Sequence, residues 1–160
     1  MPPPSNLAEL LETRVYPGMI EPESRLLRAF IAAHGAEYDA FVFEERIGPG
    51  VQLGDHIPEK DRRDWERRTK ARPDCVAVTA PDRALLIEVK EQATLEAVWQ
   101  VITYAELYAP EHPSHTVRCA IVAAGATPAV RGIAGLRGVA LYLYAVNAAA
   151  PLAPGQAIPT

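Results

Sequence analysis

The chain has 160 residues, 49% of them hydrophobic and 22% charged, with a formal net charge of −4. That is the size of a single domain with a substantial core, and no run of ~18 apolar residues is present to span a bilayer, so a soluble, non-membrane protein is expected. The opening MPPPSNLAEL lacks the basic start and apolar stretch of a secretory signal, and Cys75 and Cys119 stand far apart in apolar segments. A disulfide framework and a zinc site are therefore excluded, and buried reduced thiols in a cytoplasmic protein are expected.

In chain order, EPESRLLRAFIAAHG predicts a first helix, with Pro22 near its first turn, Gly35 just past its end, and Leu26, Leu27, Phe30 and Ile31 at helical spacing. Phe41-Val42-Phe43 is a short strand. Residues 48–71 form a polar insert opened by Gly48-Pro49-Gly50, with a helix over about Pro58 to Lys70. Cys75–Thr79 and Ala84–Lys90 read as two strands joined by the turn Ala80-Pro81-Asp82-Arg83, hence an antiparallel hairpin. A second helix over about Thr94 to Tyr108 is closed by Pro110 and Pro113. A strand Val117–Ala123, a short helix Thr127–Leu136 and a last strand Val139–Val146 follow. The order α-β-β-β-α-β-α-β predicts an α/β fold, a mixed sheet flanked by helices. The core spans about residues 20–146, and the ends 1–6 and 147–160, rich in Pro and small residues, are expected to be loosely held.

Charge is unevenly spread. The stretch RRDWERRTKAR, Arg62 to Arg72, holds six basic and two acidic residues, leaving −8 for the rest of the chain. A positive segment in an acidic chain points to a local anion partner, though a solvated helix gives the same pattern.

The hairpin carries the most specific chemistry. Alternation along the second strand puts Glu88 and Lys90 on the face of Leu86, with Leu85, Ile87 and Val89 on the other, and sets both charges at the strand's end. Antiparallel pairing brings Asp74, at the start of the partner strand, beside them. Two carboxylates and an ammonium then converge near a core, where unpaired charge is costly, and hard oxygen ligands suit Mg²⁺. On the following helix, Gln100 and Tyr104 share a face. Glu23, at the head of the first helix, lies on the same side as Leu27, Phe30 and His34. His112 and His115, in EHPSH, and His56 beside Asp55 read as loop residues rather than metal ligands, and no GxxxxGK[ST] loop is present.

Pro73-Asp74 followed by Glu88-x-Lys90 resembles the signature of the PD-(D/E)xK nuclease superfamily, whose core order is α-β-β-β-α-β, over residues 20–125. Gln100-x-x-x-Tyr104 is similar to the Gln-x-x-x-Tyr motif of its RecB-like and lambda-exonuclease-like branch. The resemblance implies a restriction-endonuclease-like fold and a Mg²⁺- or Mn²⁺-dependent deoxyribonuclease of repair, recombination or mobile-element DNA processing. It implies that Asp74, Glu88 and the Val89 carbonyl bind metal, with Glu23 binding directly or through water. Lys90 is implied to position the attacking water and offset phosphate charge. Gln100 and Tyr104 would hold nucleic acid, while Arg67, Arg68, Lys70 and Arg72 contact phosphates and Trp65 stacks on a base. Any helicase partner must be another chain. Two alternatives stay open: a non-catalytic nucleic-acid-binding or assembly module on this fold, and an unrelated α/β protein whose hairpin charges are surface decoration.

Overall fold

The computed structural model describes residues 2–79 and 82–145. Its helices are α1 (Leu7–Glu12), α2 (Glu21–His34), α3 (Glu59–Thr69), α4 (Leu95–Glu111) and α5 (Pro128–Leu136). Its strands are β1 (Ala40–Phe43), β2 (Cys75–Thr79), β3 (Arg83–Ala93), β4 (Thr116–Ala126) and β5 (Val139–Leu143), which lie in one five-stranded sheet in sequence order. The connection from Thr79 to Arg83 is too short for a crossover, so β2 and β3 pair antiparallel, as do β1 and β2. Helices α4 and α5 return the chain to the same end of the sheet, so β3, β4 and β5 run parallel. The fold is thus a mixed α/β sheet flanked by helices, and the expected α-β-β-β-α-β order runs from α2 through β4 once the insert helix α3, between β1 and β2, is set apart.

Each face of the sheet has its own core. Leu85, Ile87 and Val89 of β3 join Ala120 and Val122 of β4 against Leu26, Leu27 and Phe30 of α2. Ala84 and Leu86 join Ile121 and Ala123 against Val98 and Val101 of α4 and Val130 of α5. Strands buried on both sides read as near-continuous apolar runs, which is why LLIEV and AIVAA look as they do. Leu26, Leu27, Phe30 and Ile31 are all at most 2% exposed, and each such side chain stabilises the fold by ~1.5–3 kcal/mol of transfer free energy. Pro22 sits in the first turn of α2 and Gly35 caps its end. Helix α4 starts at Thr94, whose hydroxyl accepts from the Ala97 N–H at 3.1 Å, a cap worth ~1 kcal/mol.

Several boundaries differ from the sequence reading. Strand β3 continues three residues past Lys90, because Gln92 and Ala93 pair with Gly125 and Ala126 of an equally long β4; Glu88 and Lys90 therefore lie within the strand, not at its end. Helix α4 runs through Pro110 to Glu111. A proline in a last turn disrupts only the terminal hydrogen bonds, so it does not end the helix at Tyr108. The opening contains α1, capped by the Asn6 side chain. The preceding Ser5 is tied to the sheet edge, its N–H donating to the Asp39 carbonyl at 2.9 Å and its hydroxyl accepting from the Phe41 N–H at 2.8 Å. Strand β5 stops at Leu143, and the end 147–160 lies outside the described residues. Among the described residues no helix is long and apolar enough to cross a membrane.

Candidate functional site

The β2–β3 ladder runs from Thr79–Arg83 to Cys75–Ile87. One residue further the side chain of Asp74 replaces the backbone, its Oδ2 accepting from the Val89 N–H at 2.8 Å. This bond fixes the carboxylate across the point where the two strands part, and Pro73, buried before it, holds the chain extended. Two residues along one face of β3, Lys90 Nζ lies 2.6 Å from Glu88 Oε1. Glu88 is 1% exposed because β3 is an interior strand, paired at this position with Ile121 of β4, and α4 covers the face. Lys90 keeps 34% exposure. The other carboxylate oxygen of Glu88, Oε2, is buried with no hydrogen-bond partner. Asp74, Glu88 and Lys90 are thus brought together as the sequence reading expected.

Burial dominates the electrostatics. It pushes the Glu88 carboxyl up to about 7, helped by the negative charge of Asp74 and opposed by Lys90. Asp74 is also raised, first by burial, with the Val89 hydrogen bond and the Lys90 charge pulling the other way. For Lys90 burial pulls downward but is outweighed by Glu88, Asp74 and Glu23, so the ammonium holds its proton more firmly than usual. The two partners of the Glu88–Lys90 pair point in different directions, the lysine toward a fully charged pair and the glutamate toward a neutral acid. The difference in exposure decides between them: water stabilises the charge on Lys90, whereas little reaches Glu88. The cluster carries more negative than positive groups, with one carboxylate near its titration point at neutral pH.

Gln100 and Tyr104 both lie on α4, the helix over the Glu88 face, and are joined by a hydrogen bond of 2.6 Å between Gln100 Nε2 and Tyr104 Oη. The Tyr104 hydroxyl is raised by burial, and the charges of Glu88, Asp74 and Lys90 all act on it, which places the pair beside the cluster. Glu23 belongs to α2, packed on the opposite face, and its Oε2 accepts from the Ile20 N–H at 3.2 Å, a local cap of its own helix. Its charge still acts on Asp74, Glu88 and Lys90. Among the described residues no three His, Cys, Asp or Glu side chains form a ready metal shell, so the site as built offers two carboxylates, with Glu23 nearby and otherwise engaged.

The basic insert is a surface helix with its own anchors. Helix α3 buries no residue and is held by the loop before it, through Arg46 Nη1 to the Arg67 carbonyl (2.8 Å) and the Val51 N–H to Thr69 Oγ1 (2.7 Å). Gly50 is required there, since a Cβ would sit 1.9 Å from the Glu66 carbonyl oxygen. Much of the local charge is spent internally: Arg62 pairs with Asp55, Arg63 with Glu59 and Arg67 with Asp64. Arg72 pairs with Glu44 at 3.1 Å, and its charge lowers Asp74. Arg68 and Lys70 form no ion pair among the described residues, and Trp65 is 47% exposed.

The sequence reading missed the Arg72–Glu44 pair. Glu44 holds a φ of 56°, uncommon for a residue with a side chain; its position just after the strand FVF carried no signal. His112 stacks on the Tyr108 ring at 3.9 Å, and His115 Nδ1 lies 3.2 Å from the Tyr108 hydroxyl, so both are engaged by an aromatic side chain. Cys75 is buried and Cys119 half-buried, and both are free thiols.

No known protein-family model matches the chain, and no curated protein matches it. Among solved structures, it is similar to a repair endonuclease from Pyrococcus abyssi, with 19% identity and a TM-score of 0.41 over 62% of this chain and 39% of that one. It is also similar to an EndoMS–dsDNA2 complex, with 15% identity and a TM-score of 0.45 over 81% of this chain and 47% of that one. The chain thus spans less than half the length of either structure.

Proposed function

We propose that the chain is a metal-dependent nuclease that hydrolyses phosphodiester bonds in DNA, of the exonuclease-related branch that its Gln-x-x-x-Tyr motif resembles. The observation that carries this reading is the buried, unpartnered Oε2 of Glu88 beside Asp74. A desolvated carboxylate oxygen with no donor is costly, and a hard divalent cation held by Glu88 and Asp74 would remove that cost. Asp74, Glu88 and the Val89 carbonyl would hold Mg²⁺ or Mn²⁺, with Glu23 contributing directly or through water. The bound ion would polarise the phosphoryl oxygens and lower the pKa of the attacking water. Lys90, a firm cation partly open to solvent, orients that water and offsets charge on the phosphate; it is an electrostatic aid, not a base. Gln100 retains a second amide hydrogen, and Tyr104 its hydroxyl hydrogen, to fix a phosphate beside the cluster.

Three kinds of DNA test this reading: linear duplex, closed circular duplex and single strands, each with Mg²⁺ or Mn²⁺ and an EDTA control. Linear DNA is expected to be degraded in a metal-dependent reaction, faster than circles. Equal rates on circles would replace the exonuclease-related reading with a metal-dependent endonuclease. Among the described residues no third carboxylate joins the pair, which favours, as a second reading, a module that binds DNA without cutting; saturable binding with no cleavage under any metal would decide for it.

Two further outcomes are expected. Gln100→Ala and Tyr104→Phe should leave Mn²⁺ affinity nearly intact and slow cleavage by ~1–3 kcal/mol, the scale of a hydrogen bond to a charged group; calorimetry and single-turnover rates separate the two effects. On α3 and the chain after it, the cations without acidic partners should dominate DNA contacts. Arg68→Ala combined with Lys70→Ala should reduce the slope of log K against log salt by ~2, more than the paired Arg67 and Arg72 do, as measured by fluorescence anisotropy.

A further inference from the structure

A second concave site lies on the α2 face of the sheet, where the parallel strands begin. Its cavity, about 320 Å³, is lined by Arg83 and Thr116 at the starts of β3 and β4, by Arg118, and by Tyr38 and Tyr142, within the size range of small-molecule sites. Arg83 pairs with Thr116 and Leu85 with Arg118 in the β3–β4 register, so the two guanidinium groups rise from adjacent strands on one face, two positions apart. Neither has an acidic partner at ion-pair distance among the described residues. Neighbouring like charges left unneutralised are unfavourable, and paired arginines suit the oxygens of a phosphate.

The opposite wall is aromatic and rigid. Tyr142 packs edge-on to Phe30 with centroids 4.9 Å apart, and Tyr38 packs against the same ring at 6.1 Å. The charges of Arg83 and Arg118 both act on the Tyr38 hydroxyl, which burial raises to about 12, so it is a phenol donor at neutral pH. Behind Tyr142 lie His34, in edge contact at 5.0 Å, and Tyr144, only 4% exposed. His34 Nε2 and Tyr144 Oη are both buried with no hydrogen-bond partner, so polar atoms without partners adjoin the aromatic wall of a cavity whose other wall is cationic. Glu37, also in the lining, is held by His34 Nδ1 at 2.8 Å, which leaves the arginines as the dominant charge.

We propose that this cavity binds a nucleoside monophosphate, its phosphate on Arg83 and Arg118 and its base against Tyr38 and Tyr142. The site is separate from the Asp74–Glu88–Lys90 cluster, because Arg83 and Glu88 are five residues apart on β3, ~17 Å, with side chains on opposite faces. It does not depend on the chain being a nuclease.

Calorimetric titration of the full chain with deoxyadenosine monophosphate, deoxyadenosine and inorganic phosphate tests the proposal. The monophosphate is expected to bind at least about tenfold more tightly than either half. Arg118→Gln and Arg83→Gln should each weaken it about tenfold or more with no change in melting temperature, since both side chains are exposed. Lys90→Ala should leave it unchanged. Failure of the monophosphate to saturate, equal binding of phosphate alone, unaltered binding in both arginine variants, or loss of binding in Lys90→Ala would each overturn the assignment; the first three leave the cleavage reading untouched, and the last would place the nucleotide at the Asp74–Glu88–Lys90 cluster instead.

Discussion

Asp74→Ala, Glu88→Ala and Lys90→Ala should each lower DNA cleavage by about a thousandfold or more, ~4 kcal/mol of transition-state stabilisation, while the sheet stays intact. Each side chain is proposed to have a separate task, so no one of them should substitute for another. Asp74 is clamped by the Val89 N–H, Glu88 presents a buried oxygen with no other partner, and Lys90 is the only one of the three that carries positive charge toward solvent. Calorimetry with Mn²⁺ should find affinity lost in the two carboxylate variants and much less altered in Lys90→Ala, because Lys90 is proposed to act on the phosphate and the water. Undiminished cleavage in all three would remove this cluster as the site of cleavage; lost cleavage with intact Mn²⁺ binding in Asp74→Ala and Glu88→Ala would move the metal elsewhere.

In the metal-free protein, Glu88→Gln should be more stable than the wild type at pH 8 by up to about 3 kcal/mol, and the advantage should vanish near pH 5. Burial raises the Glu88 carboxyl from 4.5 in the unfolded chain to about 7 in the folded one, so the folded state binds the proton more tightly. The stability this confers is fully present below about pH 4.5 and is lost as pH rises through 7, at ~1.4 kcal/mol for each pH unit that separates the two values. Asp74 is raised as well and adds to the same trend from a lower starting pH, whereas Lys90 is raised above 10.5 and contributes nothing to the change between pH 5 and 8. Glutamine keeps the shape and carries no charge to desolvate, and Lys90, partly exposed, is rehydrated. Urea denaturation in EDTA at pH 5, 6.5 and 8 reads the difference. Parallel pH profiles for the two proteins would show that burial of Glu88 is not destabilising. Such a residue is retained against stability, as expected where function requires a charge in an apolar setting.

The hairpin was legible in the sequence because its signals are local: alternation assigned Glu88 and Lys90 to one face, and the short connection between Thr79 and Arg83 fixed the register that brings Asp74 alongside. Helix α2 was equally readable from Pro22, its apolar stripe and Gly35. Features set by distant pairing were not. The run Glu91-Gln92-Ala93 has no strand signal of its own and is held extended by Gly125 and Ala126, more than thirty residues away. The role of Glu23 was only half visible, since its spacing gives a side of the helix but not the competing bond to the Ile20 N–H. Likewise the excess of arginine between Arg62 and Arg72 was plain, but which of those charges are already paired depends on Asp55, Glu59, Asp64 and Glu44, whose side-chain geometry no composition reveals. Helix α1 escaped notice because it is six residues long, buries none of them and follows a proline-rich opening.

The proposed cleavage depends on a divalent cation held by Asp74 and Glu88. Its most direct test is cleavage of end-labelled linear duplex DNA by the wild type and by Asp74→Asn, purified in parallel, with Mg²⁺ present and again after excess EDTA. Asparagine still accepts from the Val89 N–H, so the hairpin is preserved and only the charge is removed. The predicted result is cleavage by the wild type that EDTA stops and renewed Mg²⁺ restores, with no cleavage by the variant. Cleavage that persists in EDTA, or equal cleavage by Asp74→Asn, would contradict it.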